Sequence, residues 1–185
     1  MGQKTDKIFE RAKVNLNDDN HEQALRLFNE VLNREPSHKK ALRNKALIKL
    51  LTGDEQEAEE FLLFAIDQRP KDDQLYQMLG SFYHNNDVPQ KALAQFKKSI
   101  NINSGNCLSH KGLAMLYAKF YNDHENAVSH FTKAIDLNDQ ETELFFNRGC
   151  SYMILQDMKA AEKDLKHAAD LSHDKASQMV EKYFS

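Results

Sequence analysis

Cys107 and His110 lie three residues apart, a spacing at which one helix can present two metal ligands on one face. No second ligand pair stands near them. The sequence therefore reads them as a partly buried thiol beside a surface imidazole, with no metal site. His167 and His173 fall at the end of a predicted helix, where a positive charge is mildly favoured. The carboxylates are many but scattered, as on solvated outer faces. There is no glycine-rich phosphate loop, no HExxH and no GxSxG. Cys107 and Cys150 have no pattern of basic neighbours to activate a thiolate, and two cysteines are not a disulfide framework. Nothing here assembles a catalytic set or a cofactor site, so an enzyme with a latent active site lacks its residues. What remains is recognition by amides, a few cations and soft apolar side chains that recur at fixed spacing.

That spacing belongs to the whole chain. Ala24, Ala58 and Ala92 are each 34 residues from the last, as are Phe28, Leu62 and Phe96. Pro36 and Pro70 keep the same interval. After one extra residue the count resumes with Ala127 and Ala161. A fixed period of this length predicts stacked helical repeats. In residues 73–106, Tyr76, Leu79, Gly80 and Tyr83 fall on one face of a first helix. Asn85, Asn86 and Asp87 make a polar turn, and Pro89 suits the start of a second helix. Ala92, Phe96, Ser99 and Ile100 form that helix's apolar face.

The totals agree with a single array. The 185 residues include only 3 prolines and 6 glycines, too few for a loop-rich chain. Charged residues are 29%, of both signs interspersed, and the net charge is -3, which argues against nucleic acid as a partner. No run of about 18 apolar residues exists to span a membrane. The segment MGQKTDKIFERAKVNLN carries neither the apolar run of a signal peptide nor the Ser or Thr of a myristoylation motif. A reduced, cytoplasmic protein is expected.

The pattern of a large residue, Leu-Gly, Tyr, Ala, Phe and Pro resembles the tetratricopeptide repeat. Five units are in register: residues 5–38, 39–72, 73–106, 107–141 and 142–175. The resemblance implies an all-α, right-handed superhelical solenoid of antiparallel helix pairs, forming one domain over 1–185. A capping helix is expected over 174–185, with Asp174 as its N-cap and Met179, Val180, Tyr183 and Phe184 on its apolar side. Gly80, Gly149, Ala12, Ala46 and Ala114 share a slot where bulk would separate paired helices. Asn20, Asp54, Asp123 and Asp157 share another, just before each second helix, as N-caps.

The resemblance also implies a concave groove lined by the first helix of every repeat, and a peptide segment of another protein, extended or helical, as its partner. The face beside the packed one would line it. It holds Phe9 and Lys13, then Lys40, Arg43, Asn44 and Leu47, then Gln77, Met78, Ser81 and His84, then Lys111 and Met115, then Phe146 and Asn147. Asn44 and Asn147 occupy one repeat slot, and an amide there can bond a peptide backbone. The competing expectation is a wetted groove with no ligand of its own. Some family members grip acidic C-termini of heat-shock chaperones through a carboxylate clamp. Its places fall here on Phe9, Lys13, Asn44, Gln74 and Met78, and only Asn44 matches, so a clamp of that type is not expected.

Two units depart from the frame. Leu63 and Phe64 stand where sister repeats carry Asn29-Glu30, Lys97-Lys98, Thr132-Lys133 and Lys166-His167. Either this pair marks a convex interface, such as a homodimer contact, or Phe64 folds back over a neighbouring turn. The extra residue in Ala118–Asn122 either prolongs the first helix or bulges the turn and presents an aromatic. The function expected is protein–protein binding as an adaptor, scaffold or co-chaperone-like module, not catalysis. The alternative is a structural protein that assembles with copies of itself.

Overall fold

The computed structural model describes residues 2–53, 55–138 and 140–184. Its regular structure, among the described residues, is eleven α-helices and no strand. They are α1 (Gly2–Asn17), α2 (His21–Arg34), α3 (Lys39–Thr52), α4 (Glu55–Gln68), α5 (Asp73–Asn85), α6 (Pro89–Ile102), α7 (Cys107–Phe120), α8 (His124–Leu137), α9 (Thr142–Ile154), α10 (Met158–Asp170) and α11 (Asp174–Phe184). No described helix is long and apolar enough to cross a membrane.

Each odd-numbered helix from α1 to α9 packs on the next even one, and each pair packs on its neighbour through α2–α3, α4–α5, α6–α7 and α8–α9. The connections are too short for anything but antiparallel neighbours. First helices also touch across pairs, α3 with α5 and α5 with α7, which gives the array an inner face made of first helices.

The turns explain the register. Inside each pair one residue takes the left-handed conformation: Asp19, Gly53, Asp87, Asn122 and Gln156. This reverses the chain while the following backbone N–H reaches back to the first helix, as Asp157 does to the Tyr152 carbonyl at 3.0 Å. The next residues start the second helix. Asn20, Asp123 and Asp157 accept from the backbone N–H of Gln23, Asn126 and Ala160, as the sequence predicts. Asp54 lies outside the described residues. Pro89 is at the first position of α6. The extra residue of the fourth pair prolongs its first helix: α7 runs one residue further in its repeat than α5 and α9, and the turn keeps three residues, with Tyr121 exposed in it.

Two histidines act where the sequence suggested otherwise. His173 does not end α10; its Nδ1 accepts from the Ala176 N–H at 3.1 Å and so caps α11, the part expected of Asp174. His110 is not a surface imidazole. It is buried, with its Nε2 3.1 Å from the Ser104 carbonyl and its Nδ1 3.0 Å from Nδ1 of His130.

The core between pairs is built on close approach. Phe96 is fully buried with its ring over Gly80, where a Cβ would sit 2.7 Å from it, and over Gly112 on the far side. Gly112 belongs to the next pair, so one ring ties two repeats together. Between the two helices of a pair, by contrast, the polar contacts differ from unit to unit. The second pair has Lys45 over the Phe61 ring, the fourth His110 against His130 at a different position, and the fifth an ion pair between Arg148 and Asp164.

Candidate functional site: the inner groove

The inner face takes its residues from the first helices at helical spacing. Two positions four residues apart point into it in each unit: Lys13 and Asn17, Leu47 and Leu51, Ser81 and Asn85, Met115 and Lys119, Cys150 and Ile154. Lys13, Asn17, Asn85 and Lys119 are exposed there, and so are apolar members. Leu47, Leu51, Leu108 and Ile154 are exposed, from 40% to 59%, although all are large hydrophobic residues. Met78, Met115 and Met153 are half-buried among them.

Not every residue expected in the groove reaches it as expected. Phe9 is a core residue, only 5% exposed, with its ring 5.8 Å from that of Phe28 and 5.0 Å from that of His38. Burial there, under the N-cap of α3, removes it from the lining surface. Phe146 is half-buried, stacked at 4.2 Å on His173. His84 is half-buried, edge-on to Phe120, and burial pushes its pKa down. Lys40 and Leu47 are exposed, and Asn44 lies half-buried beside them.

The charged and amide groups are mostly tied within the chain. Arg43 donates through Nε to both carboxylate oxygens of Asp72, at 2.9 and 3.0 Å, and through Nη2 to one of them. Asp72 is itself the N-cap of α5, accepting from the Gln74 N–H. Arg43 therefore joins α3 to the start of α5. Lys111 pairs with Glu141, Lys119 with Asp87 at 3.0 Å, and Lys13 with Glu10 at 3.0 Å. Gln77 donates to Ser81 Oγ at 3.0 Å. Asn147 donates to the Glu143 carbonyl at 2.9 Å, a bond within its own helix.

An apolar pocket of about 240 Å³ opens between α7 and α9 with α8 as its floor. Met115, Ala118, Cys150 and Ile154 form its walls, Phe131, His124 and the buried Ser151 its base, and Lys119 and Asn147 its rim. Burial, and then the nearby Glu143 carboxylate, push the Cys150 thiol pKa up, which keeps it protonated and apolar in character. Ala118, Ile154 and the pocket role of Cys150 were not anticipated. The signal was present: carrying the groove list one turn further along each first helix reaches Leu51 and Ile154. Both cysteines are free thiols.

The outer face carries the other expected feature. Leu63 and Phe64 are exposed side by side on α4, at 49% and 48%, and Phe64 leans on Phe61 with ring centroids 5.8 Å apart. Phe64 is thus not buried over a neighbouring turn.

Eleven helices in stacked antiparallel pairs, with an inner face of first helices, define a tetratricopeptide-type solenoid. The profile of the Psidin N-terminal TPR repeats region matches residues 8–185, and the chain belongs to that family. No curated protein sequence matches it. Solved structures share its fold at low identity. MamA is 19% identical with a TM-score of 0.72, covering 100% of this chain and 98% of its own. YrrB, described as a TPR protein with an unusual peptide-binding site, is 18% identical with a TM-score of 0.72, covering 95% and 90%. PilF of Pseudomonas aeruginosa is 15% identical with a TM-score of 0.80, covering 90% and 75%. These likenesses establish the right-handed superhelical fold and leave the ligand to the residues themselves.

Proposed function

We propose that this chain is a protein-interaction module, an adaptor or scaffold that holds a peptide segment of a partner protein in its inner groove. The observation that carries this reading is that the large apolar side chains Leu47, Leu51, Leu108 and Ile154 stand exposed on first helices. Large apolar side chains left in water on one kind of helix support an interaction surface. Residues 1–185 act as one solenoid domain of five repeats in this reading, with α11 as its end cap. It is not an enzyme, needs no cofactor or metal, and binds neither nucleic acid nor membrane. Two unpaired cysteines suit a cytoplasmic setting. The test is capture from a cell extract, followed by mass spectrometry, with the native chain and with Leu47→Asp. Leu47 is exposed, so the variant should fold. A partner lost with the variant supports groove binding; a partner captured equally by both removes it.

The exposed Leu63–Phe64 pair supports a second reading, a symmetric homodimer through the convex face. Closed two-fold dimers are the commonest oligomers. A stable interface buries about 1,200–2,000 Å², so neighbouring outer residues must join in. Light scattering of the native chain and of Leu63→Glu with Phe64→Lys decides it. A native dimer that becomes a folded monomer supports the reading, and a native monomer at high concentration ends it.

A further inference from the structure

We propose that the convex face meets a second copy of this chain, with α4 of each copy lying on α6 of the other and opposite charges closing around the Leu63–Phe64 pair. This rests on the convex-dimer reading above and fixes which helices meet. α4 carries five carboxylates and no cation. α6, the next second helix, carries three lysines and no carboxylate. The other second helices, α2, α8 and α10, each hold both signs. On α2 those charges are paired at short range, Glu22 with Arg26 and Glu30 with Arg34. α4 and α6 lie side by side, since Lys91 reaches Glu59 at 3.3 Å, and Glu57 is taken by Lys49 of α3. Glu60 and Asp67 on α4, and Lys97 and Lys98 on α6, are exposed and make no ion pair among the described residues. Their contacts are neutral: Glu60 accepts from Gln56, Asp67 accepts from Gln68, and Lys98 stands over the Tyr76 ring.

Two neighbouring stripes of opposite sign are complementary to themselves under a two-fold axis. An axis parallel to the two helices and midway between them sets α4 on α6 of the other copy, and α6 on its α4. An axis across the helices would set like charge on like, which is unfavourable. A partner of one sign would be drawn to one helix and repelled by its neighbour. Residues 63–64 and 97–98 are 34 apart and hold one slot of the repeat, so they come to the same height. Leu63 and Phe64 then face Lys97 and Lys98 of the other copy, whose methylene stems cover them. The Phe64 ring can take an ammonium on its face. Glu60 lies one helical turn before that height and Asp67 one turn after, on either side of the facing lysines. Two helices from each copy make a contact of the smaller, transient size, so the dimer exchanges rapidly.

Sedimentation and light scattering of the full chain, over a concentration series up to about 1 mM, test the pairing. One variant carries Glu60→Lys with Asp67→Lys, and another carries Lys97→Glu with Lys98→Glu; all four positions are exposed, so both should fold. Each variant alone opposes like charges across the axis, and its self-association should weaken about tenfold or more. An equimolar mixture should associate as tightly as the native chain, because α4 of each variant then meets an α6 of opposite sign. The native dimer should weaken several-fold from about 0.1 M to about 1 M salt, as the screening length falls from about 10 Å to about 3 Å. Circular dichroism checks the helices of both variants. If either loses them, Glu60→Gln with Asp67→Asn and Lys97→Gln with Lys98→Gln replace the two, and each should weaken the dimer several-fold. A native dimer that keeps its affinity in either charge variant, that ignores salt, or whose folded reversal variants stay monomeric when mixed overturns the proposal. If Leu63→Glu with Phe64→Lys still separates the copies in those cases, the convex dimer stands without this pairing. A native chain monomeric throughout the series, or a dimer insensitive to every one of these changes, removes the pairing and the convex reading together.

Discussion

Arg148 and Asp164 form a two-pronged ion pair inside the last helix pair, Nε to Oδ2 at 2.6 Å and Nη2 to Oδ1 at 2.8 Å. Asp164 is buried, and Arg148 spends its remaining arm on Thr132 Oγ1 at 2.9 Å, which reaches back to α8. The third and fourth repeats carry Leu79 and Leu113 at the position of Arg148. The fifth pair thus closes around a charge where those sisters close around carbon.

Removing one member of this pair should be worse than removing both. Asp164→Ala strands a half-buried guanidinium and should cost up to about 3 kcal/mol. Arg148→Leu with Asp164→Leu restores an apolar contact and should recover most of that loss. Urea denaturation of the three chains checks it, through the midpoint at constant slope.

The His110–His130 contact should make the fold acid-sensitive. Both rings have pKa values below the usual 6.5. Burial comes first for each; for His130, pushed down to about 4, His110, Lys133 and Lys97 add to it. The Ser104 carbonyl accepts from His110 Nε2–H, so the short bond needs His130 Nδ1–H donating to a bare His110 Nδ1. The folded chain holds this pair neutral, whereas the unfolded chain takes up protons below pH 6.5. Stability from this source is complete above that pH and drains away as pH falls from about 6.5 towards 4. The melting temperature should drop between pH 7 and pH 5. His130→Phe, which also keeps a ring against Tyr117, should flatten that slope.

Gly112 should resist even a methyl group. Its Cα faces the Phe96 ring, so Gly112→Ala forces the ring or α7 to move and should cost about 1–3 kcal/mol. Phe96→Leu combined with Gly112→Ala should cost less than the two single changes together, because the smaller side chain vacates the site. Thermal melts of the single and double variants check the coupling.

Ending the chain before Asp174 should lower stability and solubility. Ala176 is buried, and Met179, Val180 and Phe184 pack on the fifth pair. His173, which caps α11, also stacks on Phe146 and places Nε2 3.1 Å from Glu143 Oε2. Without α11 that apolar side opens to water, and the melting temperature should fall by several degrees, at ~2–4 °C per kcal/mol for a chain of this size. Calorimetry and the concentration at which each chain begins to precipitate measure both effects.

The period of 34 determined the fold from the sequence alone, because every quantity behind it is local. Helical faces repeat within seven residues, caps act within three, and the small-residue slots recur unit by unit. Ala92, Asp157 and Pro89 therefore stand where that reading puts them. The tertiary structure decided which side chains are free. Arg43 is 29 residues from Asp72 and Lys111 is 30 from Glu141, about one repeat apart in each case. Whether such groups pair depends on how one helix pair is set against the next, which no spacing within a helix encodes. The same holds for Phe9, drawn under His38, and for His110, which found His130 across its own pair. A groove position can be read from the period; whether it is spent on the chain's own neighbours or left for a partner is settled only when the repeats stack.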